Sequence, residues 1–341
     1  MRSGPPVAVL VTGASGFVGG ALLRRLTGDS AFAPLGIGRR ALDDPDYRPV
    51  DLAAPDAARA LGAAWASAHP GVPGGPSVIV HAAAHSSPWG SRAEFERANV
   101  GTTRAVLDYA RSLPAPPRVV FVSTASVLYR ARDQAGVPDD APADGPFVNA
   151  YAASKRAAER LVEQYPGEWV VLRPRAVFGA GDTTLLPRIV AAARAGRLPR
   201  IRPPRSGPVL SDLVVIETLV EHLVTALTSP ALNRRTLTVT NGEPLALQPA
   251  VFALLERMGI PVPARTVSRR GALLAATVLE AAWRMLRPGI EPPITRYSVI
   301  VYAFTKTFDA RLCRELLGAP AVTVAEGLER VVAESQAGGP G

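Results

Sequence analysis

A tyrosine and a lysine four residues apart, Tyr151 and Lys155 in the segment YAASK, form a pair that could do acid–base chemistry. The chain has 38 lysines and arginines, yet only Lys155 and Lys306 are lysines. Residues four apart share one helix face, so the ammonium can lie beside the phenol. A free phenol has a pKa of about 10, and an ammonium about 4 Å away supplies about 4 kcal/mol at intermediate dielectric, enough to lower it by about three units. We predict that Lys155 activates Tyr151 as a general acid–base; the alternative is an ordinary pair on a helix surface.

A glycine-rich turn, VTGASGFVGG, places Gly13, Gly16 and Gly19 after an apolar strand and at the start of a helix. Gly13 permits a tight turn, Gly16 lets backbone amides approach a pyrophosphate, and Gly19 lets helix and strand pack closely. The positive end of the helix adds to the attraction for phosphate. The pattern predicts a dinucleotide site, to which we also assign Ser15, Phe17 and Val18; a purely structural glycine turn is the alternative.

Two arginines, Arg39 and Arg40, follow the second apolar strand, about 20 residues beyond the glycine turn, where NAD enzymes place an acidic residue on the ribose. A guanidinium binds a 2′-phosphate through charge-assisted hydrogen bonds. The pair therefore favours NADP(H), with NAD(H) as the alternative because arginine is common here and Asp43 and Asp44 follow closely. Further positions assigned to the cofactor are Asp51 and Leu52, and Ala82, Ala83 and Ala84 of the segment HAAA.

Two further polar residues stand where chemistry would need them. Thr124 ends the strand pattern FVSTASV and could hydrogen-bond a substrate oxygen; it could equally cap local backbone. Asn99 lies inside a helix pattern, where asparagine is slightly unfavourable. It could hold a water beside Lys155 or only distort the helix.

Alternating strands and helices must position these residues. Strands are predicted at PVAVLVT, APLGIG, SVIVHAA, RVVFVST, EWVVLRP and RTLTVTN, and helices at FVGGALLRRL, DAARALGAAW, EFERANVGTTRAVLDYARSL and YAASKRAAERLVEQY. Strands that are apolar on both faces and alternate with helices predict an α/β fold, a Rossmann-type doubly wound parallel sheet. We assign residues 1–180 to a dinucleotide-binding domain. Residues 181–335 are assigned to a smaller C-terminal substrate-binding lobe, with some segments returning to the sheet.

Composition narrows the class of protein. The 341 residues, 48% hydrophobic and 20% charged, predict a folded chain. The net charge is +9, but the arginines are scattered without interleaved aromatics, so nucleic acid is not expected as a partner. The single cysteine, Cys313, favours the cytoplasm and a packed apolar position, and the four histidines predict no metal site. The arginine- and alanine-rich composition suggests a bacterial source.

No signal peptide or membrane span is predicted, because glycines interrupt the apolar N-terminal segment and no stretch reaches about 18–20 apolar residues. The nearest stretch, GALLAATVLEAAWRML at 271–286, contains Glu280 and Arg284. We interpret it as an amphipathic helix covering a substrate pocket. The alternative is a surface helix in peripheral contact with a membrane or an apolar substrate.

The motifs TGASGFVG, HAAA, ANVGTTRAVLDYA, FVSTASV, YAASK and LRPRAVFGAGD together resemble the extended short-chain dehydrogenase/reductase superfamily, which includes the NAD-dependent epimerase/dehydratase-like proteins. The 3β-hydroxysteroid dehydrogenase-type branch is the most similar, and its closing segment resembles the C-terminal EPPITRY and FDARLCRELLGAPAVTVAEGLERVV. The resemblance implies Tyr151 as general acid/base, Lys155 as its activator and ribose ligand, Thr124 as donor to the carbonyl oxygen and Asn99 as proton-relay support. We also assign Arg173, Pro174 and Val177 to the cofactor site.

The departures from that superfamily bear on the substrate. Dehydratases carry an Asp-Glu pair where Ala125 and Ser126 follow Thr124, and many sugar-nucleotide members have an Arg-Asp-aromatic segment in place of VLSDLVVIE. The predicted pocket walls are largely apolar, which suits a hydrophobic carbonyl compound. Residues assigned to the substrate are His85, Trp89, Ser126, Val127, Phe178 and Leu186.

We therefore expect an NADPH-dependent reductase, or a dehydrogenase in reverse, acting on the ketone or hydroxyl of a steroid, lipid or natural-product intermediate. One alternative is a nucleotide-sugar epimerase with tightly bound NAD. Another, from a different class, is a non-catalytic NADP-binding regulator. The sequence leaves open whether the chain is a monomer or a homodimer.

Overall fold

A computed structural model describes residues 4–71, 74–205, 207–287 and 289–337. The strands are β1 (Val7–Thr12), β2 (Phe32–Gly38), β3 (Tyr47–Pro49), β4 (Val78–His81), β5 (Arg118–Val122), β6 (Gln134–Val137), β7 (Trp169–Pro174), β8 (Val177–Phe178), β9 (Arg200–Ile201), β10 (Leu210–Ser211), β11 (Val214–Val215), β12 (Arg235–Val239), β13 (Leu245–Ala246), β14 (Thr266–Val267) and β15 (Lys306–Phe308).

The α-helices are α1 (Phe17–Thr27), α2 (Ala57–Ala68), α3 (Arg92–Phe95), α4 (Thr102–Ser112), α5 (Ala150–Glu163), α6 (Leu186–Arg194), α7 (Ile216–Thr228), α8 (Leu247–Arg257), α9 (Arg269–Leu286), α10 (Arg296–Ala303), α11 (Arg311–Leu317) and α12 (Val324–Ala337). A π-helical turn (Glu96–Gly101) joins α3 to α4, and 3-10 turns cover Ala125–Leu128 and Pro230–Leu232.

The central sheet confirms the predicted α/β fold. Seven parallel strands run in the order β12-β7-β5-β4-β1-β2-β3. Thr12 at the end of β1 is in register with Ile37 of β2 and His81 of β4. The carboxyl ends of these strands therefore bring the glycine turn, Arg39 and Ala82 to one edge, where open α/β sheets bind ligands.

Apolar side chains cover both faces of this sheet. On one face Leu22 of α1 and Leu219 of α7 pack over the strands, and on the other Leu61 of α2 and Val106 of α4 do so, all with no exposed surface. Burying a leucine fully contributes about 1.5–3 kcal/mol, so these two layers hold the sheet rigid beneath its ligand edge.

The C-terminal half combines a strand of the main sheet with smaller sheets. β12, the predicted strand RTLTVTN, pairs with β7 over Arg235–Val239. The remaining strands form a sheet in the order β13-β10-β15-β6 and the pairs β11-β8 and β14-β9. They are two to four residues long, which is why sequence periodicity did not reveal them.

Helix α9 differs from its predicted role. It packs against α10, and only Ala272 and Ala276 of its side chains are buried. Leu274, Val278 and Met285 are 66%, 61% and 79% exposed. The helix forms where the sequence predicted it, but its apolar face points away from the protein core. Within the described ranges, no helix has both the length and the hydropathy needed to cross a bilayer.

Candidate active site

A cavity of about 1430 Å³ runs along the carboxyl edge of the sheet, from the glycine turn to the segment around α10. Pockets for single small ligands are usually about 300–1,000 Å³, so this one has room for a dinucleotide and a second molecule. Its wall includes most of the predicted residues: Gly13, Ser15, Gly16, Phe17, Val18, Gly19, Arg39, Arg40, Asp51, Leu52, Ala82, Ala83, Ala84, His85, Thr124, Tyr151, Lys155, Pro174, Val177, Phe178 and Leu186.

The glycine turn forms a cradle that side chains would fill. Gly13 has φ +73°, and a Cβ there would come within 2.6 Å of the Ala83 nitrogen. A Cβ on Gly19 would overlap the carbonyl of Gly13. Helix α1 begins directly after Gly16, and no side chain caps it. Its first-turn amides can therefore serve a phosphate group, and the chain fits a dinucleotide at this point.

The two arginines lie on the cavity wall beside the glycine turn. Arg39 and Arg40 are exposed on its wall, and the Arg40 guanidinium donates to the carbonyl of Ser15 in the glycine turn. The Tyr47 hydroxyl donates to the Arg40 carbonyl at 2.5 Å, which fixes the backbone here. Asp43 and Asp44 are not part of the cavity wall. Guanidinium groups at this position can bind an anionic group through charge-assisted hydrogen bonds.

Tyr151 projects from the first turn of α5 into the cavity, beside Ser86 and Thr124. Asn149 caps this helix, its side chain accepting from Ala152 N at 2.9 Å. Burial raises the pKa of Tyr151 to about 12, the neighbouring Tyr297 adds to the increase, and hydrogen bonds with the Ser86 and Thr124 hydroxyls oppose it. The predicted lowering of this pKa is therefore wrong for the protein alone, because desolvation of the phenolate is the largest effect.

Lys155 lies one turn further along α5 and is 1% exposed. Its Nζ donates to the carbonyl of Val122 at 2.7 Å and lies 4.1 Å from the centre of the Phe121 ring. Burial lowers the pKa of Lys155 to about 7, and the carboxylate of Glu159, a further turn along, opposes the decrease. The ammonium is thus held inside the cavity wall rather than on a helix surface.

Glu159 is the centre of a buried network that the sequence did not reveal. Its carboxylate accepts from Ser123 Oγ at 2.5 Å and from Arg173 Nε and Nη2 at 2.9 and 2.8 Å. Arg156 approaches it at 3.2 Å. Arg173 therefore anchors α5 to β7 and does not line the cavity, contrary to its assigned contact with the cofactor. The one feature of the sequence that could have indicated this network is the i, i+4 spacing of Lys155 and Glu159, which places them on one helix face.

Asn99 is buried in the π-helical turn and does not line the cavity. Its Oδ1 accepts from His85 N at 2.7 Å, and its Nδ2 donates to Ser154 Oγ at 2.8 Å. Ser154 Oγ in turn donates to the carbonyl of Tyr151 at 2.8 Å. Asn99 thus connects the loop after β4 to the helix that carries Tyr151, which is a positioning role.

Three residues assigned to the substrate also lie away from the cavity wall. Ser126 and Val127 belong to the 3-10 turn after Thr124 and are buried, Val127 in an apolar cluster with Tyr129. The Thr124 hydroxyl caps this turn by accepting from Ser126 N at 3.2 Å. Trp89 is half-buried with the Arg284 guanidinium 5.4 Å from its ring.

The cavity wall contains further polar residues that the sequence did not single out, among them Ser86, Arg175, Ser211 and Tyr297. They come from four separate segments, so only the fold brings them together. No residue of α9 lines the cavity; the adjoining segment from Glu291 to Tyr302 does so instead. In the described parts of the chain, no three His, Cys, Asp or Glu side chains are grouped to hold a metal ion.

The glycine cradle, the parallel sheet and the tyrosine–lysine pair agree with the comparison to protein families. Residues 9–239 match the model of the NAD dependent epimerase/dehydratase family. The chain belongs to this family, and it is an NAD(P)-dependent oxidoreductase of the extended short-chain dehydrogenase/reductase superfamily.

Its relatives include named reductases. The 2-alkyl-3-oxoalkanoate reductase of Stenotrophomonas maltophilia is 31% identical over 96% of this chain and 99% of its own length. The 4-hydroxy-2-methyl-3-oxo-4-farnesyl-3,4-dihydroquinoline-1-oxide ketoreductase of Stigmatella aurantiaca is 33% identical over 96% of both chains. The 3beta-hydroxysteroid-dehydrogenase/decarboxylase isoform 1 of Arabidopsis thaliana is 26% identical over 76% of this chain and 62% of its own. The last confirms the predicted similarity to the steroid dehydrogenase branch.

Solved structures show the same fold. The UDP-glucuronic acid 4-epimerase of Bacillus cereus, in complex with NAD, superposes with a TM-score of 0.68. The match covers 96% of this chain and 98% of the epimerase, at 18% identity. At that identity the likeness is one of fold.

Proposed function

We propose that this protein is an NADPH-dependent reductase that converts the ketone of a hydrophobic small molecule into an alcohol. The observation that carries the proposal is that Tyr151, Lys155 and Thr124 share one cavity with the glycine cradle and with Arg39. In this proposal, the segment 1–180 binds the dinucleotide and the lobe 181–335 supplies most of the substrate pocket. The two reductase relatives, named for 3-oxo compounds with alkyl or farnesyl chains, support this substrate class.

The residues of the chain have separate tasks in this reaction. The glycine turn binds the pyrophosphate, Arg39 and Arg40 bind the 2′-phosphate, and Lys155 binds the nicotinamide ribose. When bound, the reduced nicotinamide supplies a hydride for the carbonyl carbon. Thr124 donates a hydrogen bond to the ketone oxygen, and Tyr151 donates its proton to the same oxygen. Because the pKa of Tyr151 is raised to about 12, the phenol stays protonated at neutral pH and is ready to act as the acid.

Titration with NADPH and NADH tests the choice of cofactor. Wild type is expected to bind NADPH more tightly, and the double variant Arg39→Gln/Arg40→Gln is expected to lose about 10- to 100-fold in NADPH affinity because charge-assisted hydrogen bonds to the phosphate are removed. NADH affinity should change little. Arg48→Gln is the matched control, since Arg48 lies nearby but bonds only the carbonyls of Pro45 and Tyr47. A clear preference of wild type for NADH would contradict the assignment.

A panel of hydrophobic ketones, followed at the nicotinamide absorbance, then tests the reaction. Consumption of NADPH with formation of the alcohol is the expected result. Dinucleotide retained through purification, together with interconversion of a nucleotide sugar without net oxidation, would show the epimerase instead. Turnover of neither substrate class, with an unchanged biological effect of Tyr151→Phe, would indicate the non-catalytic regulator.

A further inference from the structure

Arg175 is a buried cation at the substrate end of the cavity. It follows β7 directly, lines the cavity wall and is 2% exposed. Its Nη2 donates to Ser211 Oγ at 2.7 Å, and Ser211 also lines the wall. Its Nε is buried and has no hydrogen-bond partner among the residues that the structure describes. A guanidinium that has given up water in this way normally finds an acceptor, because burying an unpaired charge is costly.

The surrounding charges do not supply that acceptor. Asp212 is the nearby acid: its Oδ2 accepts from Phe308 N at 2.7 Å, and its Oδ1 has no partner in the described ranges of the chain. Within the part of the chain that the structure describes, Arg175 forms no ion pair with it or with any other carboxylate. Lys306, whose pKa is lowered by burial, lies near enough for the charge of Arg175 to add to that decrease, and it is not an anionic partner for Arg175. Arg188, by contrast, lines the same cavity but is paired with Glu291 at 2.8 Å.

Arg175 lines the same cavity as Tyr151, the proposed proton donor. Its guanidinium carbon is 5.3 Å from the centre of the Tyr129 ring. Tyr129 and Tyr297, whose ring centres are 6.4 Å apart, line this cavity together with Arg175 and Tyr151. A substrate whose ketone lies at Tyr151 and Thr124 can therefore present an anionic group to Arg175 within the same cavity.

We propose that Arg175, held by Ser211, binds the carboxylate of a 3-oxo acid whose ketone oxygen lies at Tyr151 and Thr124. In a 3-oxo acid only one carbon atom separates the ketone from the carboxylate, so a substrate of this class places its anion in the same part of the cavity as its ketone. The alkyl chains would extend along the apolar wall at Phe178, Leu186 and Leu254. The site selects acids over neutral ketones of the same shape, and this inference rests on the proposed reductase function.

The test compares an acid with its methyl ester. Because 3-oxo acids lose carbon dioxide in water, the reverse reaction is measured, with NADP⁺ and a 2-alkyl-3-hydroxyalkanoate or its ester. Wild type should prefer the acid, and Arg175→Met should lower the acid-to-ester ratio of kcat/KM about 10- to 100-fold, mainly through KM of the acid. Arg104→Met, at an exposed position of α4 outside the cavity, should change that ratio by less than about twofold.

Two further measurements separate the failure of this inference from the failure of the proposed function. Arg175→Gln removes the charge but keeps a polar amide, and it replaces Arg175→Met if the latter melts at a lower temperature. Binding of decanoate and of methyl decanoate, by calorimetry with NADP⁺ present, needs no turnover. If wild type and the variant treat acid and ester alike in both assays, Arg175 is only a structural partner of Ser211, and the inference is overturned. If no alcohol is oxidised but decanoate binding is lost in the variant, the carboxylate site stands and the reductase proposal fails.

Discussion

Tyr151 and Lys155 show how burial can reverse an expectation based on spacing. The sequence correctly places both on one face of α5, and both line the cavity. It could not give their pKa values, because these depend on how much water the fold removes from each group. The structure places Lys155 Nζ on the Val122 carbonyl, and burial brings the pKa of Tyr151 up to about 12 and that of Lys155 down to about 7.

The pH dependence of the two reaction directions distinguishes a Tyr151 pKa raised by burial from one lowered by Lys155. Reduction needs a protonated Tyr151, and a phenol with pKa near 12 supplies it throughout the neutral range, so kcat/KM should show no loss of a tyrosine proton below about pH 9. Alcohol oxidation needs the phenolate, so its kcat/KM should keep rising from pH 7 to 9.5. Steady-state rates across this range provide the measurement. An oxidation profile that levels off below pH 7.5 would show that Lys155 does lower the pKa of Tyr151.

The π-helical turn at Glu96–Gly101 shows which elements were predictable. The pattern EFERANVGTTRAVLDYARSL indicated one helix, and the structure contains α3, the π turn and α4 in that place. The glycine turn and the strands β1, β4, β5 and β7 lie where their local patterns predicted. The π turn itself was not predictable from the helix pattern. Two of its carbonyl groups, those of Ala98 and Asn99, accept from the hydroxyls of Thr102 and Thr103 at 2.8 and 2.6 Å, and the sequence gives no sign of these contacts.

Substitution of Asn99 tests the positioning role of that turn. Asn99→Ala removes the connection between the His85 backbone and Ser154, so the first turn of α5 should lose its fixed place. We expect kcat to fall about 10- to 100-fold while the dissociation constant for NADPH stays within about twofold, because only the proton donor is displaced. Asn99→Asp, which keeps the acceptor for His85 N, should recover part of kcat, and Arg104→Gln on the exposed face of α4 is the control. Equal losses in kcat and NADPH affinity would indicate general unfolding instead.

Across the whole molecule, both lysines of this arginine-rich chain are buried with lowered pKa values. Lys306 has no exposed surface, donates to the carbonyl of Arg132 at 2.7 Å, and burial lowers its pKa to about 7. A lysine can release its proton when buried, whereas an arginine cannot. The sequence showed that lysine is rare, but only the long-range pairing of β15 with β6 and β10 places Lys306 in the interior. The burial of Arg175 could not be predicted from the sequence either, because it too depends on contacts between distant segments.

Removal of Lys306 should change how stability depends on pH. Its pKa is about 7 when folded and about 10.4 when unfolded, so between these values the unfolded chain binds more protons and the free energy of unfolding rises with pH. Lys306→Met lacks this contribution. In urea unfolding at pH 6 to 9, the free energy of unfolding should therefore rise more steeply with pH for wild type than for the variant. The stability of the variant relative to wild type should be greatest at pH 6. Parallel curves would contradict the lowered pKa.

The most direct test of the central claim is single-turnover consumption of NADPH by Tyr151→Phe in the presence of a saturating hydrophobic ketone. The account predicts NADPH binding within about twofold of wild type, because the variant keeps the glycine cradle, Arg39 and Lys155. It also predicts a rate of NADPH oxidation lower by about 10²- to 10⁴-fold, because the proton donor is gone. A variant that binds NADPH and reduces the ketone at the wild-type rate would contradict the account.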